Sequence, residues 1–398
     1  EYARQLSYKQ GQAQKLLGGF GRVQPILGME HPYHYRNKVQ AAFGTTKGGK
    51  IISGVYQSSS HRIVNVDSCM IEDEKADEII VTIRNLLPKF KLRPYNEDAG
   101  TGFLRHVLVR KGYNSGQIMV VLVTASSVFP SKNNFVGAIF KAHPEITTIV
   151  QNINSKHTNL VLGDMNKTIH GSGYIEDSLC GCTFRISPNS FYQINPAQTE
   201  KLYSLAVEYA GLTGRERVID AYCGTGTIGI IAAKTAGEVI GAELNAAAVR
   251  DAKANAQRNS VQNIRFVCAD AGRFMRDMAA QGEKADVVFM DPPRAGSDKR
   301  FLSSIITLAP EKIVYISCNP ETLARDLRYL ANNGYKVSKI KPVDMFPFTH
   351  HVETVVSLVK LPPDDVINIE LDLTKLDISI NDGKPTYDQI KAYVLKKY

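Results

Sequence analysis

Val314-Tyr315-Ile316-Ser317-Cys318-Asn319-Pro320 passes from an apolar, β-branched run into a polar turn that carries one cysteine. Residues 313–316 read as a buried strand. Pro320, which has no N–H to give to a ladder, forbids its continuation inside a sheet. A helical pattern over residues 321–330 follows. Strand, turn and helix in this order belong to an open α/β sheet, whose ligands bind outside the C-terminal ends of the strands. Cys318 stands at such an end. Two other stretches should meet it there: the glycine-rich Asp220-Ala221-Tyr222-Cys223-Gly224-Thr225-Gly226-Thr227 and the turn Met290-Asp291-Pro292-Pro293-Arg294. A lone cysteine is ordinarily a small buried hydrophobe. The Ser-Cys-Asn-Pro setting and these two neighbours set Cys318 apart.

The same alternation runs outward from this point. Strands are expected over residues 218–221, 239–242, 264–267, 287–290, 313–316 and 352–359, with helical segments between most of them. Residues 196–210 form a helix with Pro196 in its first turn and Gly211 after it. Such alternation implies a doubly wound, mostly parallel sheet. Residues 31–190 have an α+β texture instead. A basic turn at Tyr35-Arg36-Asn37-Lys38 leads into a strand, and residues 51–56, 62–66 and 147–154 read as further strands. Residues 103–110 and 117–124 flank a hairpin signal. Residues 73–87 carry Ala76, Ile79, Ile80, Ile83 and Leu87 at helical spacing, and residues 133–142 form a shorter helix. A helix over residues 5–17 ends at Gly18-Gly19. The tail, residues 361–398, alternates as a strand over 366–373 and reads as a helix over 387–398.

The chain has 398 residues and room for more than one domain. Its 43% hydrophobic and 22% charged content is that of a globular protein. The longest apolar run, residues 118–123, is far below the ~20 residues of a membrane span, so no membrane partner is expected. No signal peptide is recognised at the start. The six cysteines form no Cys-x-x-Cys pair, which points to a reducing, cytoplasmic setting and leaves thiols for chemistry. The net charge of +9 fits a polyanionic partner, most simply nucleic acid.

Gly224 and Gly226 follow a strand and open a helix, where free N–H groups and a bare backbone can approach a ligand. Glu243 ends the next strand, 23 residues past Asp220, placed to accept hydrogen bonds from both hydroxyls of a ribose. The pair fits a nucleoside cofactor, NAD or S-adenosylmethionine, and the Asp291-Pro292-Pro293 turn favours the latter. Cys318 then acquires a role. Carbon 5 of uracil is a poor nucleophile, and a thiolate adding to carbon 6 turns it into an enolate that can take a methyl group. The thiol must be accessible and partly ionised, which a helix N-terminus favours. Removal of the hydrogen on carbon 5 then needs a general base, for which Glu353 in His350-His351-Val352-Glu353-Thr354 is the candidate. Neither the two histidines nor Cys180-Gly181-Cys182 shows metal-ligand spacing, so no metal is expected.

These motifs together resemble the RNA (uracil-5-)-methyltransferase family. The likeness runs from about residue 2 to about residue 360. It rests on Ser190-Phe191-Tyr192-Gln193-Ile194-Asn195-Pro196, the three stretches above, Leu323-Ala324-Arg325-Asp326-Leu327, and His351-Val352-Glu353, all in the family's order. The resemblance implies a Rossmann-like class I methyltransferase domain with a central α+β RNA-binding domain. It implies that Gln193, Tyr222, Glu243 and Asp291 bind S-adenosyl-L-methionine, beside the Gly224 and Gly226 loop. Cys318 would be the nucleophile and Glu353 the base. The chain looks most like the bacterial 23S rRNA branch, so 23S rRNA is the expected substrate. The alternatives are tRNA, or a non-catalytic RNA-binding protein on the same scaffold; an NAD oxidoreductase would leave Ser-Cys-Asn-Pro unexplained. The implied division is residues 1–30 as a helical segment packing with the catalytic domain, 31–190 for RNA binding, 191–360 for catalysis and 361–398 without a role. The protein is expected to act as a monomer. Tyr35, Arg36, Lys38, Arg105, His106 and Arg110 are the expected RNA contacts. Many relatives carry a four-cysteine iron–sulfur cluster. Cys69 matches its last ligand, but the preceding Cys-Gly-Gly-Cys and the relatives' small β-barrel domain have no match here, so the expectation is that the cluster is absent from this chain, either lost or with its other ligands ahead of residue 1.

Overall fold

The computed structural model describes residues 1–158 and 160–362. The patterns over 366–373 and 387–398 lie outside the described residues. Helix α1 (Tyr2–Leu17) buries Lys9, Ala13 and Leu17, a stripe four residues apart, and stops at Gly18.

A seven-stranded sheet follows, built from β1 (Lys38–Thr45), β2 (Ile51–Tyr56), β3 (Ile63–Asn65), β4 (Leu104–Lys111), β5 (Ile118–Thr124), β6 (Ile146–Ile153) and β7 (Met165–His170). Its order is β3-β2-β1-β4-β5-β6-β7. Helices α2 (Glu74–Leu86) and α3 (Lys132–Ala142) cover one face, with Ile79, Ile80 and Ile83 against Val39, Ala41, Val107 and Val109. Asp73 caps α2 by accepting from the Lys75 and Ala76 amides. From the other face, Leu108, Met119, Val121 and Val123 enter the core of the second half of the chain. Both faces are therefore covered, and β5 is buried at every residue. The sequence reading missed β7, whose Met-Asn-Lys-Thr-Ile-His is a largely exposed edge with no apolar alternation. It also missed the hairpin of β8 (Ile175–Leu179) and β9 (Cys182–Ile186). That hairpin turns at Cys180-Gly181 with φ of 51° and 67°, the double left-handed turn that suits a two-residue loop.

The second sheet alternates with helices as the sequence implied. It comprises α4 (Pro196–Ala210), β10 (Arg217–Ala221), α5 (Thr227–Ala232), β11 (Glu238–Glu243), α6 (Ala246–Arg258), β12 (Ile264–Cys268), α7 (Ala271–Ala280), β13 (Val287–Met290), α8 (Lys299–Leu308), β14 (Lys312–Ser317), α9 (Pro320–Ala331), β15 (Tyr335–Val343) and β16 (Glu353–Lys360). The order is β12-β11-β10-β13-β14-β16-β15. The β10–β14 strands are parallel, while β16 runs antiparallel between β14 and β15. β15 was not foreseen. Its lysines mark a polar edge. The antiparallel pairing of β16 with β14, Thr354 opposite Ser317, brings the start of β16 to the same end of the sheet as the end of β14. The strand order reverses between β10 and β13, which opens a crevice at their C-terminal ends.

Candidate active site

That crevice is a cavity of about 540 Å³. Of the eight residues singled out from the sequence, Gln193, Tyr222, Gly224, Glu243, Asp291, Cys318 and Glu353 line it. Gly226 does not. It caps α5 at φ +81°, and a Cβ there would stand 2.8 Å from the Phe266 ring. Its lack of a side chain lets the loop pack on β12.

The loop after β10 is held from both sides. Glu243 accepts from the Gly224 amide at 3.1 Å and from the Asn245 amide at 2.7 Å. Asp220 accepts from the Gly229 amide at 2.8 Å. Tyr222 adopts φ 62°, unusual for a residue with a side chain, and its ring lies 4.8 Å from that of Phe301.

The turns after β13 and β14 are tied together. The Asn319 amide and the Thr322 hydroxyl both donate to the Arg294 carbonyl at 3.3 Å. Arg325 donates to the Ala295 and Ser297 carbonyls. Buried Asp326 accepts from the Ser297 amide at 2.9 Å and the Tyr315 hydroxyl at 2.7 Å. The Leu-Ala-Arg-Asp-Leu motif thus fixes the loop carrying Asp291 relative to the strand carrying Cys318. On the other side, Asn195 donates to the Met345 carbonyl and Gln198 to the Asp344 carbonyl, both at 2.9 Å. This joins the Gln193 segment to the loop that leads to Glu353.

The electrostatics of the cavity are one-sided. Burial pushes the Asp291 carboxyl up to about 7. Glu353, 5% exposed, is pushed up to about 8 by burial and by Asp291, with Arg294 opposing. Asp220, beneath them, rises to about 7 for the same reason. Three acids withdrawn from water, with Arg294 as the opposing charge, make a site that a positively charged ligand would stabilise. The Cys318 thiol is pushed up to about 11 by burial first, then by Glu353 and Asp291, with Arg294 lowering it. The expectation of a partly ionised thiol is corrected accordingly: burial and the two acids outweigh Arg294 and the helix that follows.

Sequence reasoning gave no role to Tyr203 and Arg294, which also line the cavity. Tyr203 is buried on α4 with its hydroxyl beside the Gln193 side chain; only its place on the inner face of that helix could have signalled it. Arg294 meets the ring of His351, whose pKa burial and Arg294 both lower. Lys38, expected to meet RNA, lines this same cavity.

Three other expected RNA contacts are corrected: Tyr35, Arg105 and Arg110 are buried and bonded within the protein. His106 is buried too, but lines a second cavity. The Tyr35 hydroxyl donates to the Pro347 carbonyl at 2.9 Å. Arg105 makes a two-pronged pair with Glu97 and donates to the Asn154 and Lys156 carbonyls. Arg110 donates to the Ser190 carbonyl at 2.6 Å. The second face of the sheet is covered, so its basic residues stitch loops and do not form an open basic surface. The described residues also do not offer an iron–sulfur cluster its four thiolates. Cys69 stands on the central half, and no group of three metal-ligating side chains forms among the described residues. No described helix is long and apolar enough to cross a membrane.

Residues 154–361 match the model of the tRNA (Uracil-5-)-methyltransferase family. An uncharacterized RNA methyltransferase of Halalkalibacterium halodurans is 46% identical over 362 residues, covering 90% of this chain and 79% of that one. Another, of Clostridium acetobutylicum, is 44% identical over 368 residues, covering 91% and 80%. The crystal structure of Pyrococcus abyssi tRNA (uracil-54, C5)-methyltransferase in complex with S-adenosyl-L-homocysteine superposes with a TM-score of 0.77 at 30% identity, covering 90% of this chain and 84% of that one. A match over more than half the chain, together with likeness along nine-tenths of it in sequence and in fold, places this chain in the RNA (uracil-5-)-methyltransferase family.

Proposed function

We propose that the protein methylates carbon 5 of uridine in RNA, with S-adenosylmethionine as donor and a covalent adduct on Cys318. The observation that carries this reading is that Cys318, at the end of β14, and Glu353, at the start of β16, line one cavity, with Glu353 near enough to help raise the Cys318 thiol. When bound, S-adenosylmethionine supplies a methyl group on a cationic sulfur. The surplus of acids suits that charge, and Gln193, Tyr222, Gly224, Glu243 and Asp291 would hold the molecule. The archaeal relative's complex with S-adenosyl-L-homocysteine supports this.

The chain's own residues supply the rest. The Cys318 thiol gives its proton to solvent, and its sulfur bonds to carbon 6 of the uracil. The electron pair of the 5,6 double bond moves to carbon 5, which becomes nucleophilic enough to accept a methyl group. Glu353 then takes the proton from carbon 5. The double bond re-forms and the carbon–sulfur bond breaks. The target uridine must leave its stack to enter the cavity. In this reading residues 31–190 bind RNA while residues 191–360, with α1 packed on them, carry the chemistry.

23S rRNA is the first substrate to test, from the motif likeness. A second reading, tRNA, is favoured by the likeness to the Pyrococcus abyssi tRNA (uracil-54, C5)-methyltransferase. Purified protein should be offered unmodified 23S rRNA and tRNA transcripts with labelled donor, and 5-methyluridine mapped by mass spectrometry. Absence of 5-methyluridine from both would sink the proposal. Methylation of tRNA alone would select the second reading.

A further inference from the structure

A second cavity, of about 680 Å³, opens on the central sheet. Its walls come from β1, β2 and β4 and from the loop after β6. Gln40, Ala42, Tyr56, His61 and His106 are among its lining residues. Nothing in the proposed chemistry uses it.

Three features say what it would take. The rim is apolar and aromatic: Val55, Tyr56 and Leu160 are all exposed there. The Tyr56 ring meets His106 edge-on at 5.9 Å and His61 at 6.1 Å. The charges are already paired, Arg105 with Glu97 and His61 with Asp98, so the cavity holds no free charge for a phosphate. On its floor, His106 is only 6% exposed, yet its Nδ1 has no hydrogen-bond partner among the described residues. Burial and Arg105 lower its pKa to about 4, so at neutral pH the ring is uncharged, with one nitrogen to donate and one to accept. A flat, neutral, polar-edged group fits such a site, and a nucleobase is one.

Its position says which nucleobase. Residues two apart on a strand share a face. Lys38 lines the Cys318 cavity, while Gln40 and Ala42 line this one. Across the ladder, Lys38 pairs with Arg110, Gln40 with Leu108 and Ala42 with His106. Both cavities thus reach the same face of β1, with about 13 Å from Lys38 to Ala42 at ~3.3 Å per residue. A strand of nucleic acid rises ~3.4 Å per stacked nucleotide and more when stretched, so about four nucleotides or fewer bridge the gap.

We propose that this cavity is a second nucleobase site, which takes an unstacked base of the same RNA strand whose uridine enters the Cys318 cavity. The inference rests on the reading of the substrate as RNA but not on the chemistry at Cys318.

The test uses the whole chain with S-adenosylhomocysteine and, as probes, the 23S rRNA and tRNA transcripts. After ultraviolet irradiation, peptide mass spectrometry should find nucleotide adducts on Tyr56 or His61. Tyr56→Ala should weaken binding of the cross-linked RNA about tenfold or more, and Tyr56→Phe, which keeps the ring, should bind as the parent does. Tyr56 is 36% exposed, and an unchanged urea-unfolding midpoint for Tyr56→Ala would show that its weaker binding is not loss of fold. Adducts absent from both residues, or a Tyr56→Ala variant that binds like the parent, would overturn the proposal. If adducts and the loss of binding appear while the separate assay with labelled S-adenosylmethionine finds no 5-methyluridine, the carbon 5 reading fails and the base site stands.

Discussion

Lys9 and Asp344, 335 residues apart in the chain, form an ion pair of 2.6 Å in which neither side chain reaches solvent. Lys9 also donates to the Phe346 carbonyl at 3.0 Å, and the Tyr2 hydroxyl donates to the other Asp344 oxygen at 2.7 Å. The N-terminal helix therefore holds the loop between β15 and β16, which carries His351 and ends at Glu353. Removing one partner of a buried pair leaves the other charge stranded. Lys9→Met should cost about 3–5 kcal/mol of stability in urea unfolding. The double variant with Asp344→Leu should recover much of that. A single variant as stable as the parent would show that the pair is not holding the loop.

Glu243 already accepts two backbone N–H groups, so its carboxylate is aimed before any ligand arrives. Glu243→Ala should weaken S-adenosylmethionine binding by roughly 1.5–3 kcal/mol, the worth of a charge-assisted contact. Titration calorimetry with unchanged affinity would reject the assignment.

Cys318 and Glu353 should be separable on 5-fluorouridine RNA, because fluorine cannot leave as a cation. The parent should form a protein–RNA adduct that survives denaturing electrophoresis. Cys318→Ala must abolish it. Glu353→Gln must preserve it, and should also accumulate the adduct on ordinary RNA. Cross-linking by Cys318→Ala would move the nucleophile elsewhere. Cys223 is a poor successor, since burial pushes its thiol far above the ordinary range.

The acids of the cavity predict the pH profile. Glu353 must be ionised to take a proton and is pushed up to about 8, while the Cys318 thiol is pushed up to about 11. Both shifts act in the same direction, so kcat/KM, which reports the free enzyme, should climb through about pH 8 and show no falling limb up to about pH 9. A plateau reached below about pH 7 would contradict the electrostatic picture.

The same shift bears on stability. The folded Glu353 carboxyl titrates at about 8, far above the ~4.3 of an unfolded chain. Between these values the folded state holds the proton and the unfolded state does not, so the contribution of Glu353 to stability falls as pH rises through this window. Glu353→Gln should therefore stabilise the ligand-free protein by about 1–4 kcal/mol near pH 8 and by almost nothing near pH 4. An equal gain at both pH values would mean that packing, not ionisation, is the cause.

The sequence alone determined the alternating strands and helices of the second half of the fold, and with them the strand ends that line the candidate site. Val287–Met290 and Pro196–Ala210 form as their patterns predict. The reason is local: an apolar run, a Gly or Pro turn and a helix that follows announce a strand end, and the reactive residues sit on those ends. Only the tertiary structure decided the rest. The polar edges β7 and β15 carry no apolar alternation and exist because a neighbouring strand pairs with them. Arg105 and Arg110 read as surface cations and became buried struts, because whether a strand residue meets water depends on what covers the sheet's other face. No local pattern around Lys9 could reveal the acid that pairs with it more than three hundred residues away. Glu353 entered the site by the antiparallel pairing of β16, and its raised pKa follows from the burial that this pairing brings.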